Sequence, residues 1–332
     1  MELLGGTPTA PPARPWRTWL RLVLVALFLA FVVVLLVRQW PQVRPLLRRL
    51  DPAAVVAATA AVLAGVFATF RAWRAVLADL GAPLPQAGGM RVFFLGQLGK
   101  YLPGSVWPVL AQMELGRDYA VPERASAAAF VVFVLMILGT GLALAVPSIP
   151  LLSHGAHSPL SAGWALGALL VALVVLLPPV LNRLLALALR VARRPPMPKP
   201  LTAAGVGRAA GWALASWGCY GLHVFVLAAA LGAGHGGVLL AQSTGAFAAA
   251  WCTGFLLIAA PAGAGVREAV LVLLLGSAIG RSQATVIAVL SRLLFLLADL
   301  GWAGVSAALP RRSSKGTGRS PRGPRPRSRQ SV

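Results

Sequence analysis

Six stretches of the chain, near residues 19–37, 52–70, 125–147, 160–179, 208–231 and 283–308, are almost wholly apolar. Each has the length of about 20 residues that a helix needs to cross a bilayer core. In lipid a backbone N–H or C=O finds no water, so each such run has to satisfy its own backbone groups as a helix. An all-α polytopic membrane protein with about six transmembrane helices is predicted. Of the 332 residues, 58% are hydrophobic and only 11% charged, whereas soluble chains carry about a quarter charged residues. That balance argues against a soluble globular enzyme.

Thirty Lys and Arg against eight Asp and Glu give a net charge of +22. The basic residues fall between the apolar runs and in the C-terminal tail, which is the punctuation of a membrane protein. A nucleic-acid partner would need a continuous basic face, and here the charge is divided among short loops, so none is expected. Cys219 and Cys252 lie inside apolar runs with no partner at ligand spacing; they read as packing residues rather than a disulfide or zinc pair.

Two further apolar stretches, about 88–116 and 238–280, are interrupted by Pro103-Gly104 and by Pro261-Ala262-Gly263-Ala264-Gly265. They read as broken, re-entrant helices. The first span follows Arg14, Arg17 and Arg21 as a secretory signal would, but Val37-Arg38-Gln39-Trp40 offers no small-x-small cleavage site, and it reads as an uncleaved helix.

Loop charge sets the orientation. Segments 147–160 and 232–237 have no Lys or Arg and are placed outside, whereas 180–208 carries Arg183, Arg190, Arg193, Arg194, Lys199 and Arg208 and is placed inside. Both termini are then cytoplasmic. Arg38, Arg44, Arg48 and Arg49 are the one group that this arrangement puts on the wrong side. Residues 1–18 form a cytoplasmic N-terminal segment, 19–310 the transmembrane domain, and 311–332 a basic tail with no acid, expected to be disordered.

With the sides fixed, the stretch 88–116 enters and leaves from the cytoplasm and 238–280 from outside. Each half, about 19–147 and 160–309, reads as helix, helix, re-entrant hairpin, helix, in opposite orientations. Second helices at 52 and 208, prolines at 103 and 261, and last helices at 125 and 283 are 156 to 158 residues apart, although the first helices, at 19 and 160, are only 141 apart. This is the pattern of an inverted repeat, and paired breaks in its two halves point to a midplane site where helix N-termini favour anionic groups.

The ionisable residues gather near the same places. Glu114 follows the first break and Arg267-Glu268 the second, while Arg292 and Asp299 lie seven residues apart in the final helix, on one face but beyond direct contact. A charge at bilayer centre costs on the order of 3 kcal/mol, so such groups face a partner or a cavity. Arg267 suits a phosphate, and Glu268 suits the start of a helix or a cationic part of a headgroup. Each has a plainer reading. Glu114 pairs with Arg117 at the interface, Arg292 and Asp299 tie helices together, and Lys100 and Tyr101 anchor the chain at the membrane surface. His154 and His157 have helical metal spacing but sit in a Ser-Gly-Pro loop with no carboxylate near. Ser216, Tyr220 and His223 share a helix face, as interhelical hydrogen-bonding groups do. No Walker, Rossmann or Gly-x-Ser-x-Gly pattern occurs, and no metal or cofactor is expected.

At these residues the sequence resembles the transmembrane region of lysylphosphatidylglycerol synthases, which also occurs in free-standing flippase-like membrane proteins. The resemblance rests on Leu98-Gly99-Lys100-Tyr101-Leu102-Pro103-Gly104-Ser105, on Pro261-x-Gly263-x-Gly265-x-x-Glu268, and on Arg292 where the family commonly has an arginine in its last helix. It covers roughly residues 15–310 and implies a flippase-like domain. Residues 311–332 read as a short basic tail and not as a transferase domain, so synthase activity is not expected. After Pro103-Gly104 this chain reads Ser105-Val106-Trp107-Pro108, where many relatives have a glycine-rich, acid-containing continuation. That departure leaves the headgroup open.

The expected substrate-binding residues are Lys100, Tyr101, Pro103, Gly104, Glu114, Pro261, Gly263, Gly265, Arg267, Glu268, Arg292 and Asp299. The expected function is binding or translocation, in the cell membrane, of an anionic phospholipid or a polyprenyl-linked lipid. The alternatives are a membrane-embedded enzyme or enzyme partner in lipid or lipid-linked glycan metabolism, with Glu268 as its acid or base, and a structural membrane subunit.

Overall fold

The computed structural model describes residues 37, 40, 41, 44, 45, 50–101, 106–152, 159–191, 193–256, 263 and 265–310. The expected first span (apart from Val37), the N-terminal segment, the His154–His157 loop and the tail from 311 lie outside the described residues. In chain order the helices are α1 (Pro52–Asp79), α2 (Gln86–Met90), α3 (Trp107–Arg117), α4 (Glu123–Leu152), α5 (Pro159–Val175), α6 (Pro178–Val191), α7 (Ala203–Ala230), α8 (Gly237–Leu256), α9 (Val266–Ile279) and α10 (Arg281–Ala308). After α2 the chain continues through a π-helical turn, Arg91–Leu95, and a 3-10 turn, Leu98–Tyr101.

Four helices are long and apolar enough to cross a membrane: Pro52–Asp79, Glu123–Ser148, Ala203–Ala230 and Arg281–Ala308. They match four of the six expected spans. A further expected span, 160–179, does not continue straight. The chain bends by 73° between α5 and α6, where Pro178 and Pro179 supply no backbone N–H and push the residue before them out of helical geometry. Beyond the bend, the segment expected to be a loop from 180 is helical to Val191. Its arginines had the look of loop punctuation, but Arg183 and Arg190 are seven residues apart and share one face of that helix. The next span also starts earlier than 208, at Ala203.

α1 and α7 are built alike. Asp51 caps α1, its side chain accepting the Ala53 N–H at 2.9 Å, and Thr202 caps α7, accepting from Gly205 at 3.0 Å. Both helices are 28 residues long and run into a Leu-Gly-Ala sequence. At the first, Gly81 has φ 89° and the N–H groups of Gly81 and Ala82 donate to Ala78 and Leu77, each at 3.1 Å; at the second, Gly232 has φ 89° and those of Gly232 and Ala233 donate to Ala229 and Ala228 at 3.0 and 3.1 Å. These are paired Schellman caps, which need glycine at the left-handed position.

The most extensive contact in the described fold is α1 against α7. It is close because Gly65 has no side chain: a Cβ there would lie 2.4 Å from the Tyr220 ring. Tyr220 Oη and Thr69 Oγ1 are 2.8 Å apart across the same contact. Around this pair, α4 packs on α8, while α10 packs on α9, on α1 and on the π-helical turn. Two aromatic clusters fill the interior. One joins Phe70 and Trp73 of α1 to Phe93, Phe94 and Trp302; the other joins Trp217 and Tyr220 of α7 to Phe247 and Phe295. Each includes rings from one of the two interrupted segments, Phe93 and Phe94 from the first and Phe247 from the second.

Candidate functional site

The described helices stop on either side of both motifs. In the first, the 3-10 turn ends at Tyr101 and α3 resumes at Trp107; in the second, α8 ends at Leu256 and α9 starts at Val266. Pro103, Gly104 and Pro261 lie outside the described residues. The arms of each hairpin meet at glycines. A Cβ on Gly96 would lie 2.6 Å from Gln112 Cγ and one on Gly99 2.8 Å from the Pro108 nitrogen. In the second hairpin, a Cβ on Gly263, itself at φ 67°, would lie 2.8 Å from the Gly254 carbonyl oxygen.

α10 collects the charged groups. Asp299 is 5% exposed, and its Oδ2 sits 2.6 Å from Lys100 Nζ and accepts the Tyr101 hydroxyl at 2.5 Å. Two turns earlier on the same helix, Arg292 Nη1 lies 3.6 Å from Glu268 Oε1. Arg292 and Asp299 therefore do not bond to each other; the first reaches the second hairpin and the second reaches the first. Glu268 is also the third residue of α9, where its Oε2 accepts the Gly265 N–H at 2.7 Å. That is one half of a capping box, with the carboxylate at the favourable end of the helix dipole. Gly265, at φ 85°, gives the chain the turn into α9.

Arg267 faces inward. Its guanidinium carbon is 4.5 Å from the Phe247 ring centroid and 4.4 Å from that of Phe295, a cation held between two aromatic faces. The donors of such a group remain in its plane, and Nη2 lies 3.4 Å from Ser291 Oγ, which is 3.0 Å from His223 Nε2. His223 and Tyr220 thus make interhelical bonds, whereas Ser216 donates to Ala213 of its own helix at 2.7 Å. Ser291, Phe247 and Phe295 were not among the expected site residues. Ser291, Phe295 and Asp299 stand at i, i+4 and i+8, a spacing that marks one face of α10.

Glu114 is not brought to this group. It forms an exposed chain with Arg117 and Glu123, at 2.7 Å and 2.5 Å from the two guanidinium nitrogens. The hydrogen bond to Glu123, followed by the charge of Glu114, raises the Arg117 pKa. Among the described residues no group of three or more His, Cys, Asp or Glu is placed to hold a metal ion.

Long apolar helices, two interrupted helices and one helix whose polar side chains reach both define a multi-pass helical membrane protein. The family model described as the lysylphosphatidylglycerol synthase TM region matches residues 18–301, and the chain belongs to that family. No curated protein matches it.

Proposed function

We propose that the protein binds an anionic phospholipid or polyprenyl-linked lipid beside α10 and moves it between the leaflets of the cell membrane without altering it chemically. The observation that carries this reading is that α10 offers Asp299 to the first hairpin and Arg292 to the second, both from within a candidate span. Ion pairs at that depth are costly to keep for structure alone, and two interrupted helices give a headgroup backbone N–H groups and cations to approach. The site comprises Lys100, Tyr101, Gly263, Gly265, Arg267, Glu268, Arg292 and Asp299, with Pro103, Gly104 and Pro261 in the breaks.

An inverted repeat belongs to the same proposal. The equal lengths and equal caps of α1 and α7 support it, as does the exchange of contacts in which α4 packs on the second hairpin and α10 on the first. With both termini cytoplasmic, the hairpins enter from opposite sides. An enzymatic reading needs Glu268 as a free acid or base, but its two oxygens face Gly265 N–H and Arg292. Transport is therefore preferred.

The test is translocation of fluorescent phosphatidylglycerol in reconstituted vesicles, read by dithionite protection. Lys100→Met and Glu268→Gln should each slow it about tenfold, the factor that corresponds to about 1.4 kcal/mol, with yield and monodispersity retained. Full activity in both variants would overturn the site, and conversion of the lipid to a new species would overturn transport.

A further inference from the structure

Away from the hairpins, the circumference of α6 divides into three stripes. Leu181 and Leu185 are buried, and Leu189 packs beside them against the core. A second stripe carries Arg183 and Arg190, both exposed. The third carries Leu184, Leu187 and Val191, and this apolar stripe is exposed as well, Leu187 by 58% and Val191 by 78%. At 100° per residue the basic stripe is centred about 150° from the protein-facing stripe and about 80° from the apolar one, so the arginines and the exposed leucines are neighbours on the side away from the core. A helix in water would not show a leucine stripe to solvent, and a helix crossing the bilayer would not carry arginines beside one. Both suit a helix lying in the plane of the membrane surface.

Three other observations agree. The 73° bend at Pro178 turns the chain off the line of α5 at the start of this helix. The cations continue past its end, with Arg193, Arg194 and Lys199 exposed and no acid anywhere between Glu123 and Glu268. Arg193 occupies the left-handed position of the helix's closing turn at φ 52°, where its N–H and that of Arg194 donate to Arg190 and Leu189 at 3.0 and 2.9 Å. Glycine is the low-cost residue there, and an arginine is held in that conformation under backbone strain.

The segment is also held to the centre of the fold. Asn182 donates to the Leu201 carbonyl at 3.0 Å and accepts its N–H at 2.8 Å, and the next residue, Thr202, is bound to Asp79 at the end of α1. A headgroup drawn to α6 therefore sits at a fixed place relative to the α1–α7 pair.

We infer that α6 and the residues to Lys199 form a docking surface for the anionic leaflet, with Leu184, Leu187 and Val191 among the upper acyl chains and Arg183, Arg190, Arg193 and Arg194 at the phosphates. This needs the membrane setting of the chain but not the transport reading. Polybasic surfaces of this kind gain about 1 kcal/mol per cation near an anionic bilayer.

The test uses the full chain in nanodiscs of phosphatidylcholine with or without phosphatidylglycerol. In a background with Cys219 and Cys252 replaced by alanine, a fluorophore on Leu187→Cys should be quenched by lipids spin-labelled high on the acyl chain, and one on Arg183→Cys by aqueous iodide. The triple variant R183Q/R190Q/R194Q should retain less phosphatidylglycerol relative to phosphatidylcholine, by roughly fivefold per arginine. Arg193→Gly should also lower retention while leaving thermal stability equal or higher, which separates headgroup contact from a folding role. Protection of the Leu187 label from both quenchers, as a second copy or another protein covering this face would produce, overturns the inference. Unchanged lipid retention in the arginine variants overturns it as well.

Discussion

Asp79 and Thr202 join the end of α1 to the start of α7. One carboxylate oxygen of Asp79 accepts the Thr202 N–H at 2.7 Å and the other its hydroxyl at 2.8 Å, while Thr202 Oγ1 accepts from Gly205 at 3.0 Å. The carboxylate thus closes one helix against the cap of the other. Loss of the pair in Asp79→Ala should cost about 1–2 kcal/mol, in the range of a helix cap. Gly205→Ala should be at least as damaging, since a Cβ there would lie 2.1 Å from the Asp79 carboxylate. Thermal midpoints in detergent check both, with Asp79→Asn expected to fall between wild type and Asp79→Ala.

Lys100 and Asp299 should be coupled in a double-mutant cycle. Lys100→Met leaves a nearly buried carboxylate with Tyr101, and Asp299→Asn leaves the ammonium without its counter-charge. Removing one partner of a fully buried pair costs about 3–5 kcal/mol. Lys100 is 32% exposed, so a smaller penalty on the order of 2 kcal/mol is expected for each single change. The double variant should recover part of it, seen as non-additive thermal midpoints.

The two glycines of the second break should respond differently to alanine. No described residue lies within 4 Å of a Cβ at Gly265, so Gly265→Ala bears chiefly the backbone cost of its positive φ, about 1–2 kcal/mol. Gly263→Ala adds a collision with the Gly254 carbonyl oxygen. Limited proteolysis and thermal midpoints should rank Gly263→Ala as the more disruptive.

Gln112 is fully buried in α3, and neither its amide oxygen nor its nitrogen has a hydrogen-bond partner among the described residues. An unsatisfied buried polar group costs about 1–3 kcal/mol. Gln112→Leu should therefore raise the thermal midpoint, whereas Gln112→Glu should lower it sharply.

The helices were legible in the sequence because an apolar run of bilayer length has one way to satisfy its backbone, and Pro52–Asp79 and Arg281–Ala308 follow from that alone. The glycine and proline clusters lie in the intervals between described helices, after Tyr101 and after Leu256. What the sequence concealed was direction. Arg183 and Arg190 gave the charge of a loop while occupying a helix, because charge counting carries no periodicity. Glu114 and Glu268 both follow a break, yet one faces outward to Arg117 and the other faces Arg292. Arg292 and Asp299 were recognisably on one face, but that each serves a different hairpin depends on partners about 24 and 200 residues away, which no local spacing records. The rings around Arg267 come from α8 and α10, so its inward turn was equally hidden.

The seven-residue interval between Arg292 and Asp299 fixes a stagger of about 10.5 Å along α10. Each hairpin is pinned at one end of that interval by a charge of opposite sign. A slide of α10 by a single helical turn, about 5.4 Å, exceeds the length of either contact and would break both pins together. An axial shift of α10 therefore acts on both hairpins at once, as one key turns two wards.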